Sequence, residues 1–498
     1  MSRKFLLAVV LFCAAAAPAY SSSFGERLAE LPGVVSVDEI VQSKNVFTEK
    51  YIVWFKQPID WASPDVGTFL QRVEIGFQDY DRVNVVYTSG YELMTYDIAS
   101  DDRHEITEMY DGNSIVVEYR FFGQSLPAGL SKDKPDLWEY LTNENASNDF
   151  HNIIEQLRGI LSGTWVFTGH SKGGQTTNIF SYYFPNDADA YVSYVAPFCD
   201  TPNDSRLVEA VYTTIGDEHY GAEQAKTYRD MMLELQVEAI RNRDYLQPRL
   251  FSSPDKKPGT FGNVSMDFEE FMIDNAVGVW QYGQNFALVD TILKMPRNDD
   301  PNTGTNEREE YLAAMLQFLK DEAQGDDDSL FPYIVQTALE NGAYSLVTKY
   351  LREALEREGL SMYITEADEE DYYLKTTFTE EQYRRFKYDP YLRNEMLNWT
   401  HTTQSNVIMI YGTSDPWYFV RLPDVDDNPN VHIFKVNMSH NANIQYMPDE
   451  QKAEVTALLD EWLQQDSDTP SSSSSSCNTG FPGYGIIAAL FVLMRRRV

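Results

Sequence analysis

The chain has 498 residues, 43% of them hydrophobic, and sets 76 acidic side chains against 40 basic ones for a formal net charge of −36. That length admits one large domain with an insertion, or two domains, with a sizeable core. So acidic a surface argues against binding nucleic acid or adsorbing to anionic membranes, and leaves room for cationic or amine-bearing ligands.

In chain order, Arg3 and Lys4, an apolar run over residues 5–16 and Ala17-Pro18-Ala19 read as a secretory signal peptide, residues 1–19, cleaved after Ala19. Cys13 falls inside it and Cys477 in the tail. Only Cys199 then belongs to the folded body, which excludes an internal disulfide there. No His/Cys cluster has metal-ligand spacing, so neither a metal nor a cofactor is called for. Apolar β-like runs near residues 51–56, 72–77, 83–88, 114–119, 164–169 and 191–196 predict the first part of a catalytic domain over 24–200. Residues 201–402 are rich in helix formers, for example 234–243, 307–320 and 343–358, without a constant period. They predict a mainly helical insertion. Within it the acidic and aromatic run 366–373 reads as a solvated face ahead of a substrate contact. Strands at 407–411 and 431–436, and a closing helix over 449–464 with Val455, Leu458, Leu459 and Trp462 at helical spacing, make the second part, 403–465. Alternating strands and helices imply a mostly parallel sheet. Residues 466–476, with serine from 471 to 476, form a flexible linker. The end, 477–498, opens with Cys477-Asn478-Thr479-Gly480. Its apolar run 481–494 is short of the roughly 20 residues a spanning helix needs, and Arg495-Arg496-Arg497 follows. The arrangement resembles bacterial C-terminal sorting signals and predicts tethering to the envelope.

Gly169-His170-Ser171-Lys172-Gly173 sits between the apolar run 164–168 and a helix-compatible stretch from Gly174. Strand, sharp turn and helix are the setting of a nucleophile elbow, which holds its serine clear of the sheet. A serine hydroxyl needs a base, and the base an orienting acid, in the chain order Ser, Asp or Glu, His. Asp415 follows the strand 407–411 and His440 follows the strand 431–436. Asp424, Asp426 and Asp427 are rivals for the acid, but no strand precedes them. His432 alternates inside its strand. Together these readings predict an α/β-hydrolase fold with a large helical lid. The oxyanion donors are expected to be the backbone N–H of Lys172 and that of Tyr91, in the loop Thr88-Ser89-Gly90-Tyr91.

Several stretches resemble one family. Gln57-Pro58-Ile59-Asp60 with Phe69-Leu70-Gln71-Arg72-Val73, the run from Val117-Glu118-Tyr119-Arg120 to Pro127, Gly169 to Thr176, and Asp415-Pro416-Trp417 are similar to the signatures of secreted serine exopeptidases. These are the tripeptidyl aminopeptidases and their prolyl carboxypeptidase cousins. The elbow resembles the former branch more. Trp61 stands where the signature has His, and the insertion matches only loosely, as at Trp280-Gln281-Tyr282. The resemblance implies peptide substrates, with Ser171 as nucleophile, Asp415 as acid and His440 as base. An aminopeptidase also needs a carboxylate for the substrate ammonium. Glu118 is one candidate and acidic lid residues are others. Trp417 and the aromatics 119–122 either wall a substrate pocket or pack the core. An esterase or lipase would share the triad, and a non-catalytic surface protein could share the scaffold.

Overall fold

The computed structural model describes residues 23–93, 103–132, 135–251, 261, 268–283, 285–297, 307–322 and 327–464. The signal peptide, linker and sorting segment expected from the sequence lie outside them.

Among the described residues nine strands form one sheet: β1 (Val34–Glu39), β2 (Glu49–Pro58), β3 (Thr68–Phe77), β4 (Asn84–Thr88), β5 (Asn113–Val117), β6 (Trp165–His170), β7 (Ala190–Tyr194), β8 (Val407–Gly412) and β9 (Val431–Val436). Their spatial order is β1-β2-β3-β5-β4-β6-β7-β8-β9. The first three strands pair antiparallel, and β3 joins β5 antiparallel. Every pair from β5 to β9 is parallel. This is the α/β-hydrolase arrangement. From β4 the chain crosses to β5 on one side, and β6 lies on the other. The switch point therefore falls between the carboxyl ends of β4 and β6, where a crevice opens in such sheets.

The central strands are apolar along their whole length because both faces are covered. Val166, Ile408 and Ile410 face one core, which takes in Val455 and Leu459 of the closing helix Asp449–Trp462. Phe167, Met409 and Tyr411 face the other, with Phe150 and Phe180 of the helices Asn143–Arg158 and Lys172–Tyr183. Neighbouring residues go to opposite faces, as the two-residue period of a strand requires.

Between β7 and β8 the described residues are mainly helical, including Arg206–Thr213, Ala222–Arg241, Phe268–Gly278, Glu307–Glu322, Lys349–Arg357 and Tyr391–Thr402. The core of this lid is continuous with that of the sheet: Phe271, Trp280, Tyr344 and Trp417 belong to one cluster. Two details differ from the sequence reading. β1 was not anticipated, because this edge strand buries no side chain fully and carries Ser36, Asp38 and Glu39. The helix expected over 343–358 begins only at Lys349. Residues 343–345 are drawn instead onto 201–204, where Ala343 N–H donates to Thr201 O and Ser345 N–H to Asp204 O.

Candidate active site

Ser171 sits between β6 and the helix Lys172–Tyr183 with φ 58° and ψ −119°, a left-handed conformation rare for a side-chain-bearing residue. Its N–H donates to Tyr194 O at 2.8 Å, which ties the turn to β7. The flanking glycines are obligatory. A Cβ on Gly173 would lie 1.9 Å from Thr88 O, and one on Gly169 2.4 Å from the Gly173 backbone. The strain is thus held by close contact of three backbones, as a sharp elbow demands.

Asp415 and His440 leave the ends of β8 and β9 and meet. His440 Nδ1 lies 2.6 Å from Asp415 Oδ2, and both side chains are buried. The other carboxylate oxygen accepts Trp417 N–H at 3.1 Å, so the acid caps the helical turn Pro416–Val420 while holding the imidazole. Because an ionised carboxylate only accepts, the Nδ1 proton points at Asp415 and Nε2 carries the lone pair. His440 Nε2 and Ser171 Oγ are both buried, and neither makes a hydrogen bond among the described residues.

The backbone of His440 is held from two sides. His170 Nε2 donates to His440 O at 2.8 Å, and His440 N–H donates to Gln281 O of the lid at 3.1 Å. Burial, with His440 beside it, pulls His170 down to about 3, so its ring is neutral and serves as a fixed donor. Around the His440 imidazole stand the rings of His170 at 5.1 Å, Tyr282 at 5.8 Å and Trp417 at 6.5 Å between centroids. The position after β4 expected to supply an oxyanion donor, Tyr91 N–H, donates to Ser89 Oγ at 3.2 Å. Gly90 N–H donates to Thr88 Oγ1 at 3.0 Å.

A family model described as PS-10 peptidase S37 matches residues 18–472. The chain belongs to the PS-10 peptidase S37 family. It is therefore a serine peptidase. The chain is 26% identical over 456 residues to the prolyl tri/tetrapeptidyl aminopeptidase of Streptomyces mobaraensis, covering 90% of this chain and 87% of that protein. Among solved structures it is similar to a proline iminopeptidase from Mycobacterium smegmatis, with 13% identity, TM-score 0.32, and 82% of this chain and 99% of that one covered. It is likewise similar to the esterase LipA from Xanthomonas oryzae, with 11% identity, TM-score 0.36, and coverage of 87% and 98%. The fold assignment rests on the strand order above.

In this S37 peptidase the motifs that carried the resemblance form a buried polar network under the site. Arg120 grips Asp149 with Nε on Oδ2 at 2.7 Å and Nη2 on Oδ1 at 3.0 Å, and its guanidinium also reaches the carbonyls of Pro58, Ile59 and Tyr140. Gln57 Nε2 bonds Gln71, and Gln71 Nε2 bonds Glu118 O. Trp61, the departure from the signature, donates its indole N–H to Asp149 Oδ1 at 2.8 Å, so an N–H donor is retained.

Glu118 does not match its expected role. Oε1 takes Arg72 Nη2 at 2.5 Å and Leu93 N–H at 3.0 Å; Oε2 takes Gln124 N–H at 3.1 Å and Ser125 Oγ at 2.6 Å. The side chain is fully buried, and both oxygens serve internal donors. This occupancy leaves no oxygen for a substrate ammonium. Trp417 is buried and packs edge-on against Tyr344 of the lid at 5.6 Å, between that ring and His440.

Sequence reasoning did not single out three carboxylates on the lid helix Phe268–Gly278. Glu269 is bound by Arg243 and by the N–H groups of Tyr363 and Ile364. Glu270 accepts Tyr372 OH at 3.0 Å. Asp274 accepts Tyr373 OH at 2.7 Å and Tyr344 OH at 3.4 Å. The available signal was the run Phe268 to Trp280 itself, otherwise nearly all apolar, in which an acidic residue has no solvated face.

Proposed function

We propose that this peptidase is an exopeptidase that removes short peptides from free N-termini through an acyl-enzyme on Ser171. The observation that carries this reading is the placement of Glu270 and Asp274. They lie one helical turn apart on the helix that continues into the turn Val279–Gly283, which holds and flanks His440. Two carboxylates brought together on one helix suit a peptide ammonium. An amine anchored on this helix leaves the scissile bond a few residues along the peptide, in keeping with the activity named for the Streptomyces relative.

The chemistry follows from the geometry. His440 Nε2 takes the Ser171 proton as Oγ attacks the scissile carbonyl. Asp415 holds the Nδ1 proton and stabilises the imidazolium. The backbone N–H groups of Lys172 and Tyr91 receive the oxyanion. The imidazolium then protonates the leaving amine, and water, activated by the same nitrogen, releases the peptide. Tyr282, Trp417 and His170 shield this exchange from bulk water.

Digestion of a defined peptide set, free and N-acetylated, with mass-spectrometric readout tests the reading. Free peptides are expected to lose short N-terminal fragments and acetylated ones to react far more slowly, because acetylation removes the charge the lid carboxylates recognise. Equal rates on both sets, or cleavage confined to acyl esters, would replace the exopeptidase with an endopeptidase or an esterase on the same triad. We also propose export through the leader and retention at a bacterial surface through the tail. Truncation after Gln465 should release active enzyme to the medium, and a truncated protein that stays cell-bound would refute the tether.

A further inference from the structure

Lys172, the residue after the nucleophile, buries its whole side chain. Its Nζ donates to Gly90 O at 2.6 Å. It also lies 3.4 Å from the ring centroid of Tyr119, 5.1 Å from that of Phe122 and 5.5 Å from that of Tyr91. Among the described residues it pairs with no carboxylate. A buried amine in such a place is costly, and burial pulls this one well below the usual lysine range. The three ring faces offset part of that cost by cation–π attraction.

The acceptor gives the lysine its significance. Gly90 C=O and Tyr91 N–H are the two ends of one planar trans peptide unit and point in opposite directions. Whatever fixes the oxygen also fixes the direction of the N–H. A hydrogen bond on the oxygen further polarises the unit and strengthens the N–H as a donor. The loop cannot easily take another position. Gly90 has φ +81°, and a Cβ there would lie 2.8 Å from Lys172 Cγ and 2.9 Å from Gly173 N, so loop and elbow are in direct contact. Tyr91 N–H now rests on a neutral hydroxyl, Ser89 Oγ, at 3.2 Å, a weaker acceptor than an oxyanion.

We propose that Lys172 is the positioning residue of the oxyanion hole: its backbone N–H supplies one donor, and its side chain, hooked on Gly90 O, aims the second, Tyr91 N–H. This rests on the oxyanion assignment made above. It implies that the elbow pentapeptide encodes both the nucleophile and the geometry of the hole.

Lys172→Met fills the aromatic box at similar length without a donor or a charge. The test is its rate of labelling by a fluorophosphonate. In that reaction Ser171 Oγ bonds to phosphorus, fluoride leaves with its bonding pair, the hydroxyl proton passes to His440 Nε2, and the phosphoryl oxygen takes the oxyanion position. Labelling and kcat are expected to fall about 10- to 100-fold, somewhat less than the 10²–10³ for deleting an oxyanion donor. KM should change less than about twofold, and the thermal midpoint should hold or rise, since a costly buried amine is gone. Labelling at the wild-type rate would overturn the proposal, as would a loss of rate matched by an equal loss of substrate affinity. The probe needs no peptide specificity, so failure of the exopeptidase reading leaves this test standing. A wild-type enzyme that does not label at all would overturn the nucleophile assignment instead. Should the methionine variant not fold, Tyr119→Leu removes the nearest ring and keeps the lysine. A several-fold loss of labelling is then expected, and an unchanged rate overturns the proposal.

Discussion

The sheet and the lid treat buried carboxylates differently. Under the sheet's carboxyl edge, Glu118 and Asp149 are each matched to a guanidinium, Arg72 and Arg120, and tied to backbone or indole donors. On the lid helix, Glu269 follows the same pattern with Arg243, while Glu270 and Asp274 accept tyrosine hydroxyls. The first arrangement shapes loops and leaves the carboxylate nothing to offer. The second surrounds the carboxylate with phenol rings of the lid. Burial alone therefore does not distinguish the two regions; the chemistry of these partners does.

The largest effect expected belongs to the sheet's own machinery. Ser171→Ala should abolish fluorophosphonate labelling and lower kcat by about 10⁴-fold or more, and Asp415→Asn should lower kcat by about 10⁴-fold by reversing the His440 tautomer. Both variants should fold normally by circular dichroism. A labelled alanine variant would remove Ser171 from its role, and with it the contrast between working and supporting groups.

The comparison itself is broken or sharpened by exchanging carboxylates. Glu270→Gln and Asp274→Asn should reduce kcat/KM on free-amine peptides by about 10- to 100-fold and leave N-acetylated peptides and the thermal midpoint nearly unchanged, as expected when one charge pair to a ligand is lost. Glu118→Gln should do the reverse. It leaves Arg72 short of a partner, and breaking a buried pair costs about 3–5 kcal/mol, read as a lower denaturant midpoint. If Glu118→Gln altered amine selectivity at unchanged stability, the roles assigned to the two regions would have to be swapped.

A smaller effect concerns acid stability. His170 is held at about 3 and His104, by burial, at about 4, both below the roughly 6.5 of an unfolded histidine. The unfolded chain therefore binds more protons between these values. The stability that the neutral rings contribute is present above about pH 6.5 and lost as pH falls toward 3, by on the order of a few kcal/mol. His170→Gln keeps an N–H for His440 O and should flatten the fall in thermal midpoint between pH 6.5 and 4. An identical pH profile in the variant would mean that His170 is not buried neutral.

The elbow was legible in the sequence because its constraint is local: a strained turn pressed between three backbones tolerates only small residues at fixed offsets. The parallel strands were legible because both faces are covered, so their apolar runs are unbroken. β1 was not, since an exposed edge strand needs no apolar pattern. The fate of Glu118 was hidden because its partners, Arg72, Leu93 and Ser125, gather from three separate segments. Gln281 reaches His440 through a backbone carbonyl, which every residue type carries, so no side-chain identity could have announced it.

That carbonyl has a consequence for how the enzyme is armed. The base is suspended between the elbow, through His170, and the lid, through Gln281. Because Gln281 O receives the His440 N–H, any shift of Val279–Gly283 is passed to the backbone that carries the imidazole. The lid is thus a structural part of the site and not only a cover over it.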